Sequence, residues 1–287
     1  MSQTSTRPTR EAAGDVPAAI ALSGITVRFG GIIAVDSASI AVAPGESVGL
    51  IGPNGAGKTT LLDVAAGVRR PQQGGVSFFG DVITRASVVR RARLGVARTF
   101  QQLALFDGMT VREHVLFGYL ASRGSELTLG GFLAARAEIE RVAMSDDSPL
   151  SPPVLLRRLG LEAVADELAG EQSVGIVRMV DLARALASRP RVLLLDEPVS
   201  GLAEAEAEEV GKLLLSLRAE HKLSMLVVEH NLEFARLVSD RLVALDFGKV
   251  IAEGAPTEVL ASPVVRRAYF GADAAELDAL GTRTGYR

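Results

Sequence analysis

The stretch from Val48 to Thr60 constrains this chain more than any other, because a strand, a glycine-rich loop and a helix follow one another within it. Val48 to Ile51 is an apolar run of the kind that a buried parallel strand requires. The loop matches the pattern G-x-x-x-x-G-K-[ST], in which glycines let successive backbone N–H groups converge on phosphate oxygens and the helix start adds a favourable dipole. Lys58 is placed to reach the β- and γ-phosphates, and the Thr59 hydroxyl to bind Mg²⁺. The pattern therefore predicts a nucleotide-binding loop, formed by Gly52, Pro53, Asn54, Gly55, Ala56, Gly57, Lys58, Thr59 and Thr60.

Composition excludes several classes of protein. The 287 residues are 48% hydrophobic, enough for one large domain or two modest ones, yet charges interrupt every apolar run before it could span a bilayer. The net charge of −3 provides no general attraction to nucleic acid, so we expect no nucleic-acid partner. The absence of cysteine excludes disulfides and thiolate metal sites and suits a cytoplasmic protein. The polar start, Met1 to Asp15, lacks the apolar segment of a signal peptide and predicts a disordered tail.

β-branched runs and helical patterns alternate along most of the chain, which predicts an α/β fold with a mostly parallel sheet covered on both faces. Besides the loop strand, predicted strands cover residues 21–29, 32–42, 75–80, 94–97, 191–195, 223–228, 241–245 and 249–252, of which the first three indicate a small antiparallel sheet. One predicted helix begins at Lys58, and the others cover residues 110–121, 132–143, 163–168, 175–187, 204–220 and 232–238. Residues 145–153 are predicted to form a loop. The helix at 110–121 begins with a capping-box pattern, Thr110-x-x-Glu113. The helices between about residues 103 and 187 indicate a helical subdomain inserted into the α/β body.

An apolar strand at residues 191–195 ends in two acids, Asp196 and Glu197. The carboxyl ends of central strands are where ligands bind in open α/β sheets. Asp196 is therefore predicted to hold Mg²⁺, directly or through water. Glu197, one residue further, points elsewhere and is predicted to accept a proton from an attacking water molecule.

The order of these motifs resembles that of the ATP-binding subunits of ABC transporters. The phosphate-binding loop is followed by Gln101, then Ala183-Arg-Ala-Leu186, then Asp196-Glu-Pro198 and finally His230. The resemblance extends from Leu22 to Gly271, which is nearly the whole chain. It implies a P-loop NTPase fold, in which a RecA-like parallel-sheet core carries a small antiparallel β-subdomain and an inserted helical subdomain.

The implied domain organisation has three parts. Residues 1–20 form an N-terminal tail, residues 21–271 form the ABC ATP-binding domain, and residues 272–287 form a C-terminal tail. The helical subdomain occupies about residues 103–187 of the domain.

In finer detail, the chain resembles the importer group for branched-chain amino acids and related polar solutes. Three segments carry this likeness: Val27-Arg-Phe-Gly-Gly-Ile-Ile-Ala-Val35, Arg98-Thr-Phe-Gln101 and Ser262-Pro-Val-Val-Arg-Arg-Ala-Tyr-Phe-Gly271. The resemblance implies an ATPase that powers such an importer, with ATP and Mg²⁺ as ligands and transmembrane permease subunits as partners. It also implies a peripheral position at the cytoplasmic face of the membrane and a second ABC ATP-binding subunit, either another copy or a related chain. The solute stays open, because the membrane subunits and any binding protein select it.

The resemblance implies roles for three further residues. Phe29 matches the aromatic residue that stacks on adenine, and His230 matches the histidine that contacts the γ-phosphate. Gln101 matches the glutamine that approaches Mg²⁺ and the attacking water and couples the site to the helical subdomain. Gln102 lies beside it, but the preceding Thr99-Phe100 favours Gln101.

The signature motif departs from the family's Leu-Ser-Gly-Gly-Gln, and two registers compete. Leu168-Ala-Gly-Glu-Gln172 is closer in its letters, but it precedes Arg184 by 12 residues. This is about one helical turn more than the family's usual interval of about eight. Gln172-Ser-Val-Gly-Ile176 keeps the spacing, and we favour it because spacing decides which backbone N–H groups face the phosphate. In this register Ser173 caps the following helix and Gly175 permits a close approach to the nucleotide.

A second departure is Ala203, where the family normally has an aspartate that helps to join the two subunits of the dimer. Both departures favour an alternative function, that of a degenerate ABC subunit that binds ATP in a regulatory role with weak hydrolysis. The retained site residues favour an active ATPase: Lys58, Gln101, Asp196, Glu197 and His230.

Overall fold

The computed structural model describes residues 16–99, 105–106, 108–121 and 129–270, which form alternating strands and helices. The strands are β1 (Ile20–Phe29), β2 (Ile32–Val42), β3 (Ser47–Ile51), β4 (Gln73–Phe78), β5 (Asp81–Val82), β6 (Val96–Arg98), β7 (Val192–Asp196), β8 (Ser224–Val228), β9 (Arg241–Asp246) and β10 (Lys249–Gly254). The helices are α1 (Lys58–Ala66), α2 (Val88–Leu94), α3 (Val111–Ala121), α4 (Leu129–Met144), α5 (Pro152–Arg158), α6 (Val174–Ala187), α7 (Glu204–His221), α8 (Leu232–Val238), α9 (Pro256–Ala261) and α10 (Pro263–Phe270).

The strands of the described residues form two sheets. The antiparallel sheet has four strands in the order β2-β1-β4-β5. The larger sheet has six strands in the order β10-β9-β3-β8-β7-β6, and all of its pairs are parallel except β9 with β10. This confirms the predicted parallel core with a small antiparallel sheet beside it. Parallel pairing also brings the carboxyl ends of β3, β8, β7 and β6 to one edge of the sheet.

The central strands do not alternate between polar and apolar residues, because both faces of the sheet are covered at these strands. Every residue of β3, β7 and β8 is buried. In β7, Leu193 and Leu195 belong to a core shared with α3, α6 and α7, whereas Val192 and Leu194 belong to a core shared with α1 and the antiparallel sheet. Successive side chains of a strand point to opposite faces, so two cores require a continuous apolar run.

The helical subdomain comprises α3, α4, α5 and α6 within the described residues. The predicted capping box begins α3: Thr110 N–H donates to Glu113 Oε2 at 2.6 Å, and Glu113 N–H donates to Thr110 Oγ1 at 3.3 Å. Gly118 lies in the middle of α3, where a Cβ atom would stand 2.1 Å from the carbonyl oxygen of Arg184 on α6. The two helices therefore pack backbone to backbone at this point.

The predicted helix at residues 163–168 is wrong. Two carbonyl groups of this segment, those of Ala165 and Glu167, accept hydrogen bonds from Arg112 N–H at 2.8 Å and from Val111 N–H at 3.0 Å. Those N–H groups belong to the first turn of α3, which has no partners within its own helix. The carbonyl groups of this segment thus accept hydrogen bonds from the first turn of α3 and are not used in a helix of their own. The segment contains only a short 3₁₀ turn, at Glu162–Val164.

Four short helices, α2, α5, α9 and α10, were not predicted. The last three each begin with a proline, and α5 starts inside the stretch assigned to a loop, residues 145–153. Proline is typical of turns, but it also fits the first helical position, where its missing N–H is not needed. α2 follows Ser87, whose hydroxyl accepts from Arg90 N–H at 3.3 Å.

The predicted tails lie almost entirely outside the described residues. At the N-terminal side Ala19 is buried and its N–H donates to Val42 O at 2.7 Å, so the folded part begins slightly before residue 21. Within the described part of the chain, no helix has the length and apolar character needed to cross a bilayer.

Arg91 fastens the far end of the phosphate-loop helix. It is 1% exposed, and its guanidinium donates to the carbonyls of Val64 and Ala65 at the end of α1, at 2.7 and 2.6 Å. It also donates to the carbonyls of Ile83, at 2.9 Å, and Thr84, at 3.2 Å. Burial lowers the pKa of Arg91 to about 10. A buried cation is thus compensated by backbone carbonyls, including those at the negative end of a helix dipole.

We expect the substitution Gly118→Ala to destabilise the protein. The added methyl group would meet a backbone carbonyl that cannot rotate away, and overpacking of this kind costs about 1–3 kcal/mol. The higher helix propensity of alanine offsets about 1 kcal/mol of this cost, and a contact of 2.1 Å with backbone places the cost at the upper end of its range, so the net loss of unfolding free energy should be about 2 kcal/mol. Chemical denaturation measures the effect.

The control for this substitution is Gly170→Ala, because a Cβ at Gly170 meets nothing within 4 Å. It should leave the unfolding free energy unchanged. A Gly118→Ala variant as stable as the parent would contradict the close packing of α3 on α6.

Candidate nucleotide-binding site

Gly52 and Gly57 shape the loop between β3 and α1. Their φ angles are 149° and 103°, and an added Cβ would lie 2.2 Å from the Leu245 carbonyl oxygen at Gly52 and 2.4 Å from the Ala34 carbonyl oxygen at Gly57. Only glycine fits at either position. α1 has no side-chain cap, which leaves the N–H groups of its first turn for an anion. The other predicted loop residues occupy the same turn and helix start: Pro53, Asn54, Gly55, Ala56, Thr59 and Thr60.

Lys58 folds back on the loop and lies beside the two predicted acids. Its ammonium donates to the carbonyls of Gly52 at 2.7 Å and Pro53 at 2.9 Å. Burial lowers the pKa of Lys58, and the nearby carboxylates of Glu197 and Asp196 oppose that shift. The lysine and both acids therefore belong to one electrostatic site.

Asp196 ends β7 and has one carboxylate oxygen that no other described residue pairs with. It is 1% exposed; its Oδ2 accepts from Arg98 at 3.0 Å, whereas its Oδ1 is buried without a hydrogen-bond partner among the described residues. Arg98 also pairs with Asp63 of α1 at 2.6 Å, and Thr99 Oγ1 accepts from the Asp196 N–H at 3.1 Å. Burial raises the pKa of Asp196, and the Arg98 guanidinium counteracts the shift. A buried, unsatisfied carboxylate oxygen fits a hard cation such as Mg²⁺.

Glu197 and His230 meet at the ends of β7 and β8. His230 Nδ1 is 3.7 Å from Glu197 Oε1, and the imidazole is about half exposed. Glu197 has a φ of 49°, which is uncommon for a residue with a side chain. Its backbone is held from two sides, because its N–H donates to Val228 O at 2.9 Å and its carbonyl accepts from Arg178 of α6 at 3.1 Å. The predicted base is thus fixed in place by the helical subdomain as well as by the sheet.

Glu229 is a site residue that the sequence interpretation missed. It is fully buried, and its carboxylate accepts from three backbone N–H groups: His230 at 3.1 Å, Asn231 at 3.2 Å and Val199 at 3.4 Å. Burial raises the pKa of Glu229, and these N–H donors counteract the shift. One side chain thereby joins the turn after Glu197 to the turn that carries His230. In the sequence, its position between an apolar strand and a predicted site histidine could have identified Glu229 as a site residue.

Phe29 lies at the end of β1 and is 43% exposed, unlike an aromatic residue of the core. The guanidinium carbon of Arg69 lies 4.3 Å from the ring centroid, a cation–π contact. An exposed ring at this position suits stacking on a base. Gln101 and Gln102 lie outside the described residues.

Ser173 begins α6 as predicted. Its Oγ accepts from Ile176 N–H at 3.4 Å, and Gly175 follows in the first turn. In the competing register, Gln172 instead turns back to Glu167, with 2.8 Å between Nε2 and Oε2. The helix start therefore coincides with the register that keeps the spacing.

Ala203 precedes α7 without a side-chain cap. Glu206 compensates, because its Oε2 accepts from the Ala203 N–H at 2.9 Å. This is half of a capping box, and it maintains the helix start although the aspartate of the family is missing.

Two family models match the chain. Residues 35–200 match the family described as ABC transporter, and residues 249–275 match the one described as branched-chain amino acid ATP-binding cassette transporter. The first match covers more than half of the chain. The protein belongs to the ABC transporter family, as one of its ATP-binding subunits.

Known proteins agree with this assignment. The chain is 35% identical over 251 residues to the high-affinity branched-chain amino acid transport ATP-binding protein BraF of Pseudomonas aeruginosa, covering 87% of this chain and 96% of BraF. A nucleotide-free ATP-binding cassette from an ABC transporter has a TM-score of 0.74 and 30% identity, over 88% of this chain and 99% of the cassette. A dimeric bacterial ABC transporter cassette has a TM-score of 0.68 and 26% identity, over 83% of this chain and 98% of the cassette.

We expect Glu229→Gln to reduce kcat for ATP hydrolysis by about ten- to hundredfold, because an amide cannot accept from all three N–H groups and leaves buried donors unpaired. The KM for ATP should change by less than about twofold, since no phosphate contact is removed. Steady-state phosphate release measures both constants.

Glu46→Gln is the matched control, because Glu46 also accepts a backbone N–H, that of Ala43 at 2.7 Å, at the opposite end of β3. It should lower stability without changing kcat. Equal kcat values for the Glu229→Gln variant and the parent would show that Glu229 has no influence on the chemical step.

Proposed function

We propose that this subunit binds Mg²⁺–ATP at the carboxyl edge of its parallel sheet and hydrolyses it to power an importer of branched-chain amino acids or related small polar solutes. The observation that carries the proposal is the buried carboxylate of Asp196 at the end of β7: its Oδ1 has no hydrogen-bond partner among the described residues, and Arg98 joins its Oδ2 to Asp63 of the phosphate-loop helix. The solute class is supported by the C-terminal family match and by the name of the Pseudomonas aeruginosa relative.

The residues present fit an Mg²⁺–nucleotide. The loop N–H groups and Lys58 would hold the phosphates, and Phe29 would stack on the adenine. Thr59, Gln101 and Asp196 would hold Mg²⁺, and the feature that supports this assignment is Asp196 Oδ1, which has no partner within the described part of the chain. Bound Mg²⁺ would neutralise charge on the phosphate oxygens.

Hydrolysis would depend on the pair at the ends of β7 and β8. Glu197 would orient a water molecule and accept its proton as the water attacks the γ-phosphate. His230 would contact the γ-phosphate from the neighbouring turn. Glu229 would hold the two turns in fixed positions relative to each other, because it accepts hydrogen bonds from the N–H groups of Val199, His230 and Asn231.

The proposal includes two kinds of partner. Transmembrane permease subunits would place the protein at the cytoplasmic face of the membrane as a peripheral subunit. A second ABC ATP-binding subunit would complete the nucleotide sites, and similarity to a dimeric cassette supports this arrangement. Each ATP would lie between the phosphate loop of one subunit and the signature segment of the other.

The altered Ser173–Gly175 signature and Ala203 would then both serve the ATP bound on the partner's phosphate loop. They favour the second candidate function, a subunit that binds ATP in a regulatory role with weak hydrolysis. In a homodimer both sites would carry these changes and turnover should be slow. With a related partner that has an intact signature, only one site would carry them.

Two substitutions separate hydrolysis from binding. Glu197→Gln should retain ATP binding, because it removes no phosphate ligand, while turnover falls by about 10²–10⁴-fold for want of the base. Lys58→Ala should weaken ATP binding itself by about ten- to hundredfold, because a charge-assisted hydrogen bond is lost. Nucleotide titration and phosphate release measure the two effects. Normal turnover in Glu197→Gln would remove the proposed base.

The assembled transporter tests the asymmetry of the two sites. If the partner is a related subunit with an intact signature, disabling the phosphate-loop lysine of each subunit separately should show that Lys58→Ala abolishes most ATP turnover while the partner's equivalent matters less. The reason is that the site on Lys58 receives the partner's intact signature, whereas the other receives the altered one. Equal losses from the two substitutions would contradict the asymmetry, and a co-purified second copy of this chain would identify a homodimer.

A further inference from the structure

The C-terminal helix reaches the phosphate-binding loop through one tyrosine. The Tyr269 hydroxyl of α10 accepts a hydrogen bond from the Gly52 N–H at 2.5 Å. The carbonyl of Gly52 in turn accepts from the Lys58 ammonium at 2.7 Å. The first glycine of the loop is therefore held on its N–H side by α10 and on its carbonyl side by the phosphate-binding lysine.

Gly52 is the point at which the chain leaves the sheet. The last paired residue of β3 is Ile51, opposite Ala244 of β9, so Gly52 lies just beyond the strand ladder. The carbonyl oxygen of Leu245 stands so close that no Cβ could fit at Gly52. The orientation of this one peptide sets where the loop begins, and Tyr269 supplies the acceptor that the sheet no longer provides.

α10 is packed against the rest of the domain, so its tyrosine can hold the start of the loop. A separate apolar core joins the end of β3 to α8, β9, α9 and α10, and its buried members include Ile51, Leu242, Val259 and Val265. The Tyr269 ring packs against the same core. Burial raises the pKa of Tyr269 to about 12. The hydroxyl position is thus fixed by packing of the ring and not by the loop alone.

We propose that Tyr269 is a positioning residue for the phosphate-binding loop, through which the C-terminal segment contributes to ATP affinity. When Lys58 turns to the phosphates, Gly52 loses its contact with the ammonium, and the Tyr269 hydroxyl becomes the side chain that keeps the loop start in place. This assigns a function to α10, which lies within the segment that matches the branched-chain amino acid ATP-binding cassette transporter model, residues 249–275. The inference rests on the proposed nucleotide binding by the loop.

Tyr269→Phe removes the hydroxyl and keeps the ring in its core. In nucleotide-free protein, backbone amides of residues 48–60 should exchange with deuterium at least about threefold faster, because the loop start has lost an anchor. The dissociation constant for ATP, measured by titration, should rise by about three- to tenfold, the equivalent of one ordinary hydrogen bond.

Tyr119→Phe is the matched control. Tyr119 is a buried tyrosine of α3 whose hydroxyl donates to Asp146 Oδ2 at 3.0 Å, away from the phosphate loop. It should lower the melting temperature about as much as Tyr269→Phe does, without changing loop exchange or ATP affinity. A merely structural hydroxyl would affect stability alone.

Unchanged ATP affinity in Tyr269→Phe would overturn the inference, whatever the melting temperature or the loop exchange. Equal changes in affinity for Tyr269→Phe and Tyr119→Phe would also overturn it. A parent protein that does not bind ATP would remove the proposed function and this inference together, whereas a binding parent with an unaffected Tyr269→Phe variant removes the inference alone.

Discussion

Parallel pairing of β3 with β8 and of β8 with β7 is the constraint on which the rest of the structure depends. Strands that run in the same direction end at the same edge, so the residues that follow them, Gly52, Glu229 and Glu197, leave the sheet side by side. A slip of one residue in any pair would turn a strand's side chains to the opposite core. The complete burial of these strands on two faces therefore protects the register on which the nucleotide site relies.

The site concentrates charges that would be costly if they were buried alone. Burial shifts the pKa of Lys58 downward and that of Asp196 upward, and in each case a neighbouring opposite charge counteracts the shift. Arg98 pairs with Asp196 and with Asp63 of α1, which ties the strand end to the phosphate-loop helix. Among the described site residues, one buried oxygen has no partner, Asp196 Oδ1. A cation bound at this oxygen would offset the remaining cost of burying the carboxylate.

Backbone groups at the ends of elements are satisfied by side chains from distant elements. Arg91 covers the last carbonyls of α1, Glu229 collects N–H groups from two turns, and Tyr269 accepts from Gly52. The contacts of Arg91 and Tyr269 each link an element of the nucleotide site to one outside it, whereas Glu229 joins two turns within the site. The loop geometry is consequently a property of the whole domain, including its C-terminal helix, and not of the glycine pattern alone.

Local requirements could be identified from the sequence. Three features depend only on residues a few positions apart, and the structure contains all of them: the glycine loop, the apolar strand ending at Asp196 and the capping box at Thr110. The helix predicted ahead of α6 failed because its carbonyls serve α3 instead. Tyr269, Glu229 and Arg98 acquire their roles only through tertiary contacts with residues 217, 30 and 98 positions away. A local pattern determined which segments could bind phosphate, whereas the folded core decided which distant side chains hold them, because hydrogen bonds form between groups that packing brings together.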